Sequence, residues 1–492
     1  MSEPLLSERS EWTGHWWRPD TPDAKVPGIL RFDPRKGVSL RLIGGWDYRV
    51  TRKNDNGSTS VMAESQSWPM IHGQVENDVV TLLGVTLRSA GSFGLHNFSE
   101  PPTRMQLKAQ TALVGALLTE PDEPAFIASA TTVENLTQWS QYSGITMNFF
   151  APVEVGSAIG SIEIGRLEGL TAELGTVTAK LHQLAWHPYA EQRRSGTLAR
   201  IKEHASVEFV SEEPRPLDEW IGYLSAVGDL ISLSTLSACA LITMRVFLPP
   251  TPERYREGHP MRNQRHEVAV YTTRVVRPRP EKDAHDAWQM ILTLDDLSFD
   301  QLLPRWMDIH ERFASARGMI LGLRYVTGGY LETQVVTAVA AAESFHRSLD
   351  APAPIPEDEF KALRKLLLDA APAKFKDWLA ARIVRNEVTL KQRLVDLATR
   401  PGEFMAELVP DPDKWAKAAG DARNTLAHVG SSDQELEDLY VVVRVTEAVV
   451  IMNLLHELGV PAERLQKAIR DHRQLAHAAD LGRKHYAAAY RK

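Results

Sequence analysis

The spacing of apolar and polar residues divides the chain into two parts of different character. In the first part, short apolar runs are separated by turn residues, and Val38, Leu40 and Leu42 alternate with polar residues. A period of two residues is typical of a half-buried strand. Strands are predicted at 12–17, 38–42, 71–73, 79–87, 105–118, 145–152 and 161–167, and a loop at 50–67. The pattern therefore predicts a mainly antiparallel β region with some helices over residues 1–165.

Residues 166–318 combine both kinds of pattern. Apolar residues at helical spacing predict helices at 217–236 and 302–320. Apolar runs predict strands at 176–185, 205–210, 244–248, 266–276 and 288–294. The sequence leaves open whether this range is a second domain or a mixed α/β continuation of the first region.

From Arg324 onward the strand patterns disappear, and residues 319–492 are predicted to form an all-helical domain. One helix begins at Asp411-Pro412, an N-cap followed by proline in the first turn, and ends at Gly430. The apolar helix at 436–458 is expected to lie at the centre of a bundle or in a dimer interface. Further helices are predicted at 331–348, 357–369, 375–385 and 389–399. The whole chain is thus expected to be an α+β multidomain protein.

The helix that ends at Gly430 carries the candidate chemistry. Its apolar residues recur at spacings of three and four and should face a core, whereas Arg423, Asn424 and His428 lie off that stripe. Asn424 and His428 are four residues apart and share a helix face. Arg423 lies about 140° around the helix from His428, and its long side chain can reach back. Arginine binds phosphate and histidine transfers protons near neutral pH, so the group suits metal-free phosphodiester cleavage.

Spacing alone is weak evidence for this site. An arginine followed by a histidine after four to six intervening residues also occurs at Arg9–His15, Arg254–His259, Arg279–His285, Arg305–His310 and Arg470–His477. Only Arg423 is followed by asparagine and lies late in a capped helix of the all-helical region. If the three residues were not catalytic, they would be surface groups near a helix C-terminus, where cations are favoured.

Composition is that of an ordinary globular protein, with 43% hydrophobic and 24% charged residues. The single cysteine, Cys239, excludes a disulfide framework and a cysteine-based zinc site, and it favours a reducing cytoplasm. We expect no signal peptide, because residues 1–12 contain no long apolar run. The most apolar window, 230–248, is interrupted by polar residues and is interpreted as a core helix that continues into a strand rather than as a membrane span.

The net charge of −7 argues against a generic nucleic-acid coat protein, so any contact with RNA must be local. Residues 252–282 carry eight Arg or Lys against four acids, and residues 463–492 carry eight against three. Each segment by itself is interpreted as a solvated charged surface.

Three further groups of residues each allow a functional and a structural interpretation. Glu343, an acid in the apolar stretch 335–345, is either a supporting residue of the site or a rim glutamate; His346 and Arg347 are expected to be solvated or interface residues. His72 and His96 have no neighbouring ligand spacing, so we expect neither a metal nor another cofactor. The tryptophans of the first region are expected either to bind a sugar or a base by stacking or to pack in the core. These are Trp12, Trp16, Trp17, Trp46, Trp68 and Trp139.

The motif resembles a known signature. Arg423-Asn-Thr-Leu-Ala-His428 looks like the Arg-Asn-x-x-x-His motif of HEPN ribonucleases. The helices between 325 and 460, with Arg385-Asn-Glu-Val-Thr-Leu-Lys-Gln-Arg393, resemble the HEPN domain of ApeA-like anti-phage proteins. The first region resembles the N-terminal domain of the same family in Trp12-Thr-Gly-His-Trp-Trp-Arg-Pro19, Val26-Pro-Gly28 and Ile71-His-Gly73.

The resemblance implies a metal-independent endoribonuclease of abortive anti-phage defence. From the single cysteine and the interrupted apolar window, we expect the protein to act in the cytoplasm, not at a membrane. The resemblance also implies a homo-oligomer, a dimer or larger, formed through the HEPN domain, and an RNA substrate cut by Arg423, Asn424 and His428. The N-terminal region would control the nuclease or respond to a phage-derived trigger. Two alternatives remain at this point: a catalytically silent HEPN scaffold that binds RNA or protein, and a carbohydrate- or ligand-binding β protein whose helical part only dimerises.

Overall fold

The computed structural model describes most of the chain, and for residues 49–53, 59–63, 428 and 429 it describes the backbone alone. The described residues form two compact units. The first comprises Met1–Ser234, Ala238–Ala287 and Thr293–Pro304, and the second comprises Thr235–Ser237, Trp288–Leu292 and Arg305–Lys492. The described residues are 4–46, 49–53, 59–63, 67–76, 78–91, 101–150, 159–278, 285–326, 328–350, 352–429 and 435–487.

The first unit is built on antiparallel strands, which confirms the architecture predicted for residues 1–165. Among the described residues, helices α1 (Leu136–Ser140) and α2 (Leu217–Thr235) accompany them. The strands are β1 Ser10–Trp17, β2 Val26–Asp33, β3 Gly37–Ile43, β4 Arg49–Lys53, β5 Thr59–Ala63, β6 Ser67–Val75, β7 Asp78–Gly91, β8 Arg104–Ala109, β9 Thr111–Val114, β10 Phe126–Val133, β11 Ile145–Phe149, β12 Gly160–Ile164, β13 Leu170–Leu174, β14 Val177–Ala185, β15 Tyr189–Arg193, β16 Gly196–Arg200, β17 Glu203–Arg215, β18 Leu241–Leu248 and β19 His266–Thr272.

Six strands close into a barrel in the order β1, β2, β3, β8, β7 and β6. Closure depends on β7, whose residues 80–83 pair with β9 and whose residues 86–91 pair with β8. Gly84 lies between these halves with a φ of 60°, a left-handed conformation that glycine adopts at little cost. The long strand can therefore change neighbours there and complete the barrel.

From β9 the same sheet continues through β19, β18, β10, β17, β14 and β13 to a total of 13 strands. Strands from residues 10–133 and from residues 170–272 thus belong to one sheet. Helix α2 packs against this half of the sheet. Trp220 Nε1 donates a hydrogen bond to the carbonyl of Phe126 at 2.9 Å, and the ring of Tyr223 packs 5.1 Å from that of Phe209.

Several strand predictions need correction. The predicted loop at 50–67 contains strands β4 and β5, which pair with each other. The predicted strand at 105–118 is two strands, because Gln110 interrupts it and its N–H donates to the carbonyl of Leu83. The predicted strand at 288–294 is wrong: Ala287–Gln289 is a turn of 3₁₀ helix, and residues 290–294 contain no strand. The window 230–248 is a helix followed by a strand, as predicted.

The tryptophans of the first region are packing residues. Trp16, Trp17, Trp46 and Trp139 are buried, each at most 8% exposed. Trp12 packs edge-on against Tyr271, with ring centroids 5.0 Å apart, and Trp68 packs edge-on against Trp46. The six side chains therefore do not form an open stacking platform, and the alternative of a carbohydrate- or ligand-binding β protein loses its basis.

The second unit is helical, which confirms the fold class predicted for the C-terminal part. The predicted helix at 302–320 is two helices, α3 and α4, separated at Phe313, whose buried ring stacks on Phe345 with centroids 4.2 Å apart. The helices are α3 Phe299–Arg312, α4 Ala314–Tyr325, α5 Leu331–Arg347, α6 Glu357–Ala370, α7 Lys376–Arg382, α8 Leu390–Thr399, α9 Pro412–Val429, α10 Leu436–Glu457, α11 Ala462–Asp471 and α12 Arg473–Tyr486.

Helix α10 is the centre of this unit, which is one of the two places predicted for it. It contacts α4, α5, α8, α9, α11 and α12. Its length and apolar composition would also allow it to cross a membrane, but 83% of its most apolar window is buried within the protein. A core helix of a bundle has the same composition.

Candidate active site on helix α9

Helix α9 is fixed at its start and along one face. The N–H of Lys414 donates to Asp411 Oδ1 at 3.0 Å, so Asp411 is the N-cap that the sequence predicts. Trp415, Ala419, Ala422 and Leu426 are buried and form the predicted apolar stripe against α5, α8 and α10. The opposite face is left available for polar side chains, and its rotation is set by the packed stripe.

Arg423 and Asn424 lie on this polar face. Arg423 Nη1 donates a hydrogen bond to Asn424 Oδ1 at 3.0 Å, and the Arg423 side chain remains 32% exposed. The exposed amide and guanidinium can both reach a bound anion. An arginine whose planar fork is oriented by a neighbour loses less side-chain entropy when it binds phosphate.

Glu343 on α5 lies beside Arg423. Its Oε2 is 3.6 Å from Arg423 Nη2, and its Oε1 accepts two hydrogen bonds from Arg347, at 3.0 and 3.3 Å. The Glu343 side chain is 20% exposed, so its charge is only partly screened by solvent. Glu343 is therefore placed to orient the guanidinium of Arg423 while leaving other N–H groups of that guanidinium available to a ligand.

The ion pairs continue beyond the residues that the sequence singled out. Arg347 Nη2 lies 3.4 Å from Glu387 Oε2, which also accepts a 2.9 Å hydrogen bond from the nearly buried Arg393. Arg423, Arg347 and Arg393 thus alternate with Glu343 and Glu387, and three positive charges against two negative charges leave one net positive charge. We call these five residues the arginine–glutamate network; its sign favours a phosphodiester backbone.

Sequence reasoning missed Arg347, Glu387 and Arg393 as parts of this arrangement. One local signal was available, because Arg347 follows Glu343 by four residues and such pairs meet on a helix surface. The expectation that His346 is solvated or at an interface is wrong on solvation: it is 4% exposed, and its Nε2 hydrogen-bonds with Asp396 Oδ2 at 3.1 Å. It faces α8, whereas its neighbour Arg347 faces Glu387.

His428 occupies the last turn of α9, one turn after Asn424. Its backbone is helical, and its side chain lies outside the described part of the structure. The structure therefore brings together Arg423, Asn424 and Glu343, and it places the backbone of His428 four residues further along the same helix.

The described residues contain no group of three or more His, Cys, Asp or Glu side chains placed to hold a metal ion. His72 Nε2 hydrogen-bonds with the carbonyl of Leu118 at 2.8 Å, and its ring packs edge-on against Trp17. It is a packing residue of the first unit, and His96 lies outside the described residues.

Comparison with protein families gives two matches that together span most of the chain. The family described as ApeA N-terminal domain 1 matches residues 11–306, and the family described as Apea-like HEPN matches residues 336–464. No curated protein and no solved structure matches the chain. The second match contains α9, Glu343 and the whole arginine–glutamate network.

Proposed function

The chain belongs to the ApeA family of HEPN proteins, and from this premise we propose that it is a metal-independent endoribonuclease of abortive anti-phage defence. Membership of the family supports a HEPN nuclease-type role against phage. The observation that carries the finer proposal is the placement of Arg423, Asn424 and Glu343 on one polar surface beside the last turn of α9.

The proposed reaction needs an acid–base group and a fixed cation. His428 takes the proton of a ribose 2′-hydroxyl, whose oxygen attacks the adjacent phosphorus. The bond from phosphorus to the 5′ oxygen breaks, and that oxygen takes up a proton. Arg423 stabilises the negative charge on the pentacoordinate phosphorus, Asn424 holds a phosphate oxygen or the histidine, and Glu343 orients Arg423. The products are a 2′,3′-cyclic phosphate and a 5′-hydroxyl end.

The substrate requirement tests this reaction directly. The purified protein is expected to cut RNA in the presence of EDTA and to leave DNA of the same sequence intact, since DNA lacks the attacking hydroxyl. Electrophoresis would follow cleavage, and phosphatase and ligase treatment would identify the ends. An RNA with a single 2′-deoxy residue at a mapped cut site is the matched control and should resist cleavage there. Cleavage of DNA, or loss of activity in EDTA, would refute the proposal, and RNA binding without cleavage would favour the silent-scaffold alternative.

Glu343→Gln separates orientation of Arg423 from binding of RNA. Losing a partly exposed ion pair costs about 1 kcal/mol at most, so kcat should fall by up to about fivefold. The substitution raises the charge of the arginine–glutamate network from +1 to +2, so KM for RNA should stay level or fall. Single-turnover and steady-state kinetics would measure both constants. Glu332→Gln removes the same charge from the first turn of α5 and should leave kcat unchanged; an equal fall in both variants would contradict the orienting role.

We further propose that the chain forms a homodimer or a larger homo-oligomer through its helical unit. Helices α6 and α7 contain no buried residue, and they and their flanks expose large apolar side chains to solvent. These are Leu363, Leu366, Leu367, Phe375, Trp378 and Val384, between 39% and 64% exposed. An apolar surface of this kind is typical of a protein interface. Asn386, which follows α7, donates a hydrogen bond to the carbonyl of Ile355, which precedes α6, at 2.6 Å. The two ends of the segment that contains α6 and α7 are therefore held together.

Leu366→Glu combined with Trp378→Glu is expected to shift the protein to monomer and to reduce RNA cleavage with it. Two charges would have to be buried in an apolar interface, which costs several kcal/mol. Sedimentation velocity at several concentrations would measure the association. Ile43→Glu changes a 57% exposed apolar residue of the first unit and should not alter the oligomer. An unchanged sedimentation coefficient in the double variant would exclude this surface.

The remaining parts of the proposal concern control. The N-terminal region holds the nuclease at a low basal rate of cleavage, which rises when a phage-derived trigger is present, and the protein acts in the cytoplasm. Growth and total RNA integrity in cells that express the chain, with and without phage, would test this restraint. RNA cleavage at the same rate with and without phage would contradict it.

A further inference from the structure

A cavity in the helical unit lies between α4, α10 and α12, and no motif residue lines it. Its open space, in which the centre of a water molecule can move, is about 160 Å³. That is enough for a group the size of a phosphate ion with room beyond it. The polar lining residues are Arg324, Tyr440, Arg444, Glu447, Gln474 and His477.

The charges that line this cavity do not balance. Arg444 Nη1 donates to Glu447 Oε2 at 2.8 Å, and Arg324 Nη2 lies 4.0 Å from the same oxygen. Two guanidiniums therefore share one carboxylate, which leaves one net positive charge. The Glu447 side chain is 4% exposed and that of Arg324 is 11% exposed. Uncompensated charge at this depth is costly, and a bound anion would offset it.

The two arginines also have donors to spare. Arg324 Nη1 donates to the carbonyl of Leu236 at 3.0 Å and to Gln474 Oε1 at 2.6 Å. The Nε atoms of Arg324 and Arg444, in contrast, are buried and make no hydrogen bond. Buried donors without an acceptor are rare in folded proteins, and they call for an explanation other than packing. An anion bound beside the two arginines would supply an acceptor for such donors.

The mouth of the cavity carries further groups that bind phosphate oxygens. Tyr440 Oη lies 3.3 Å from His477 Nε2, and both side chains line the cavity. The guanidinium of Arg444 lies over the Tyr440 ring, 5.2 Å from its centroid, which fixes the direction of its fork. Tyr440 is 36% exposed and the Arg444 side chain 32% exposed, so a solute can reach them.

We propose that this cavity binds the phosphate group of a small phosphorylated metabolite, held chiefly by Arg324 and Arg444. Guanidinium forks match the oxygens of a phosphate, and a dianion fits the surplus charge better than a neutral solute does. The site is separate from the motif on α9, and its occupancy can be measured whether or not the protein cuts RNA.

Titration calorimetry at constant ionic strength would test the site with inorganic phosphate, adenosine monophosphate and adenosine. Phosphate and the nucleotide should bind, and adenosine should not. Tighter binding of the nucleotide than of phosphate would identify a phosphorylated metabolite as the source of the phosphate group, and equal affinities would identify free phosphate. Arg444→Gln should weaken binding at least about tenfold, because it removes a charge-assisted donor.

Arg483→Gln is the matched control, because Arg483 on α12 pairs with Asp480 and does not line the cavity. This variant should bind phosphate as the unaltered protein does. Thermal unfolding without ligand would show whether Arg444→Gln is folded. Should it unfold, His477→Gln decides the question, with weaker phosphate binding as the expected result. Absence of phosphate and nucleotide binding at millimolar concentration overturns the proposal. An unchanged affinity for phosphate in the folded Arg444→Gln protein, or in His477→Gln where that one is used, also overturns the proposal.

Discussion

Alanine in place of Arg423 is expected to slow RNA cleavage about 10²- to 10³-fold, and alanine in place of His428 about 10²- to 10⁴-fold. In the proposed reaction, the first change removes the cation that stabilises charge on phosphorus, and the second removes the group that transfers the proton. Because both act on one transition state, the double variant should be little slower than the slower single variant. Single-turnover rates on a short RNA would give all three values, and a full rate for His428→Ala would refute the assignment.

The chain offers a control with the same residue types at the same spacing. Arg254 and His259 are also separated by four intervening residues, and the region around them lies in the first unit. The double variant Arg254→Ala with His259→Ala should cut RNA at the unaltered rate. Arg423→Lys is a second comparison, because it keeps the charge and loses the planar fork. Partial rescue by lysine would indicate that charge contributes beyond geometry.

The helix that carries these residues was predictable because its signals are local. Asp411 as N-cap, Pro412 in the first turn and the buried stripe from Trp415 to Leu426 all depend on spacings within one helix. The N-cap Thr389 of α8 was predictable for the same reason, and the N–H of Gln392 donates to it at 3.2 Å. Helix caps and amphipathic stripes depend on residues that lie close together in the sequence, within a few turns of one helix.

Strand β10 shows where this kind of reasoning fails. Its sequence FIASATTV is buried at nearly every position, because it lies between β17 and β18 in the middle of the sheet. A strand covered on both faces has no alternation of apolar and polar residues. One of its polar side chains has its partner far along the chain, since Thr131 Oγ1 donates to the carbonyl of Thr243 at 2.7 Å. No local pattern contains that partner.

The prediction of a loop at the position of β4 and β5 failed for another reason. Asn56-Gly57 between two runs that contain valine is a common hairpin signal, but the many polar residues of 50–67 favoured a loop.

The arginine–glutamate network was not predicted for a third reason, which is that it includes a contact between two different helices. Glu343 was a candidate from its own helix, whereas its link to Arg423 on α9 depends on the packing of α5 against α9. The sequence therefore singled out Glu343 and Arg423 but not the contact between them.

Alanine in place of Trp415 is expected to cost about 3–5 kcal/mol of stability in the helical unit. Trp415 is fully buried in the first turn of α9, so the substitution leaves a cavity under the helix that carries the motif. Trp415→Phe should cost clearly less, because the indole N–H has no hydrogen-bond partner and its loss removes an unsatisfied donor.

Urea denaturation followed by circular dichroism at a helix band would measure this loss for each variant. Trp288→Ala, a change at a tryptophan that is 79% exposed in the same unit, should cost little by comparison. Because α9 is held by its buried stripe, Trp415→Ala should also lower RNA cleavage by displacing Arg423 from Glu343. Unlike the loss in Arg423→Ala, that loss of cleavage should shrink as the temperature falls and the folded fraction recovers. Equal stabilities of the Trp415→Ala and Trp288→Ala proteins would contradict the packing of α9.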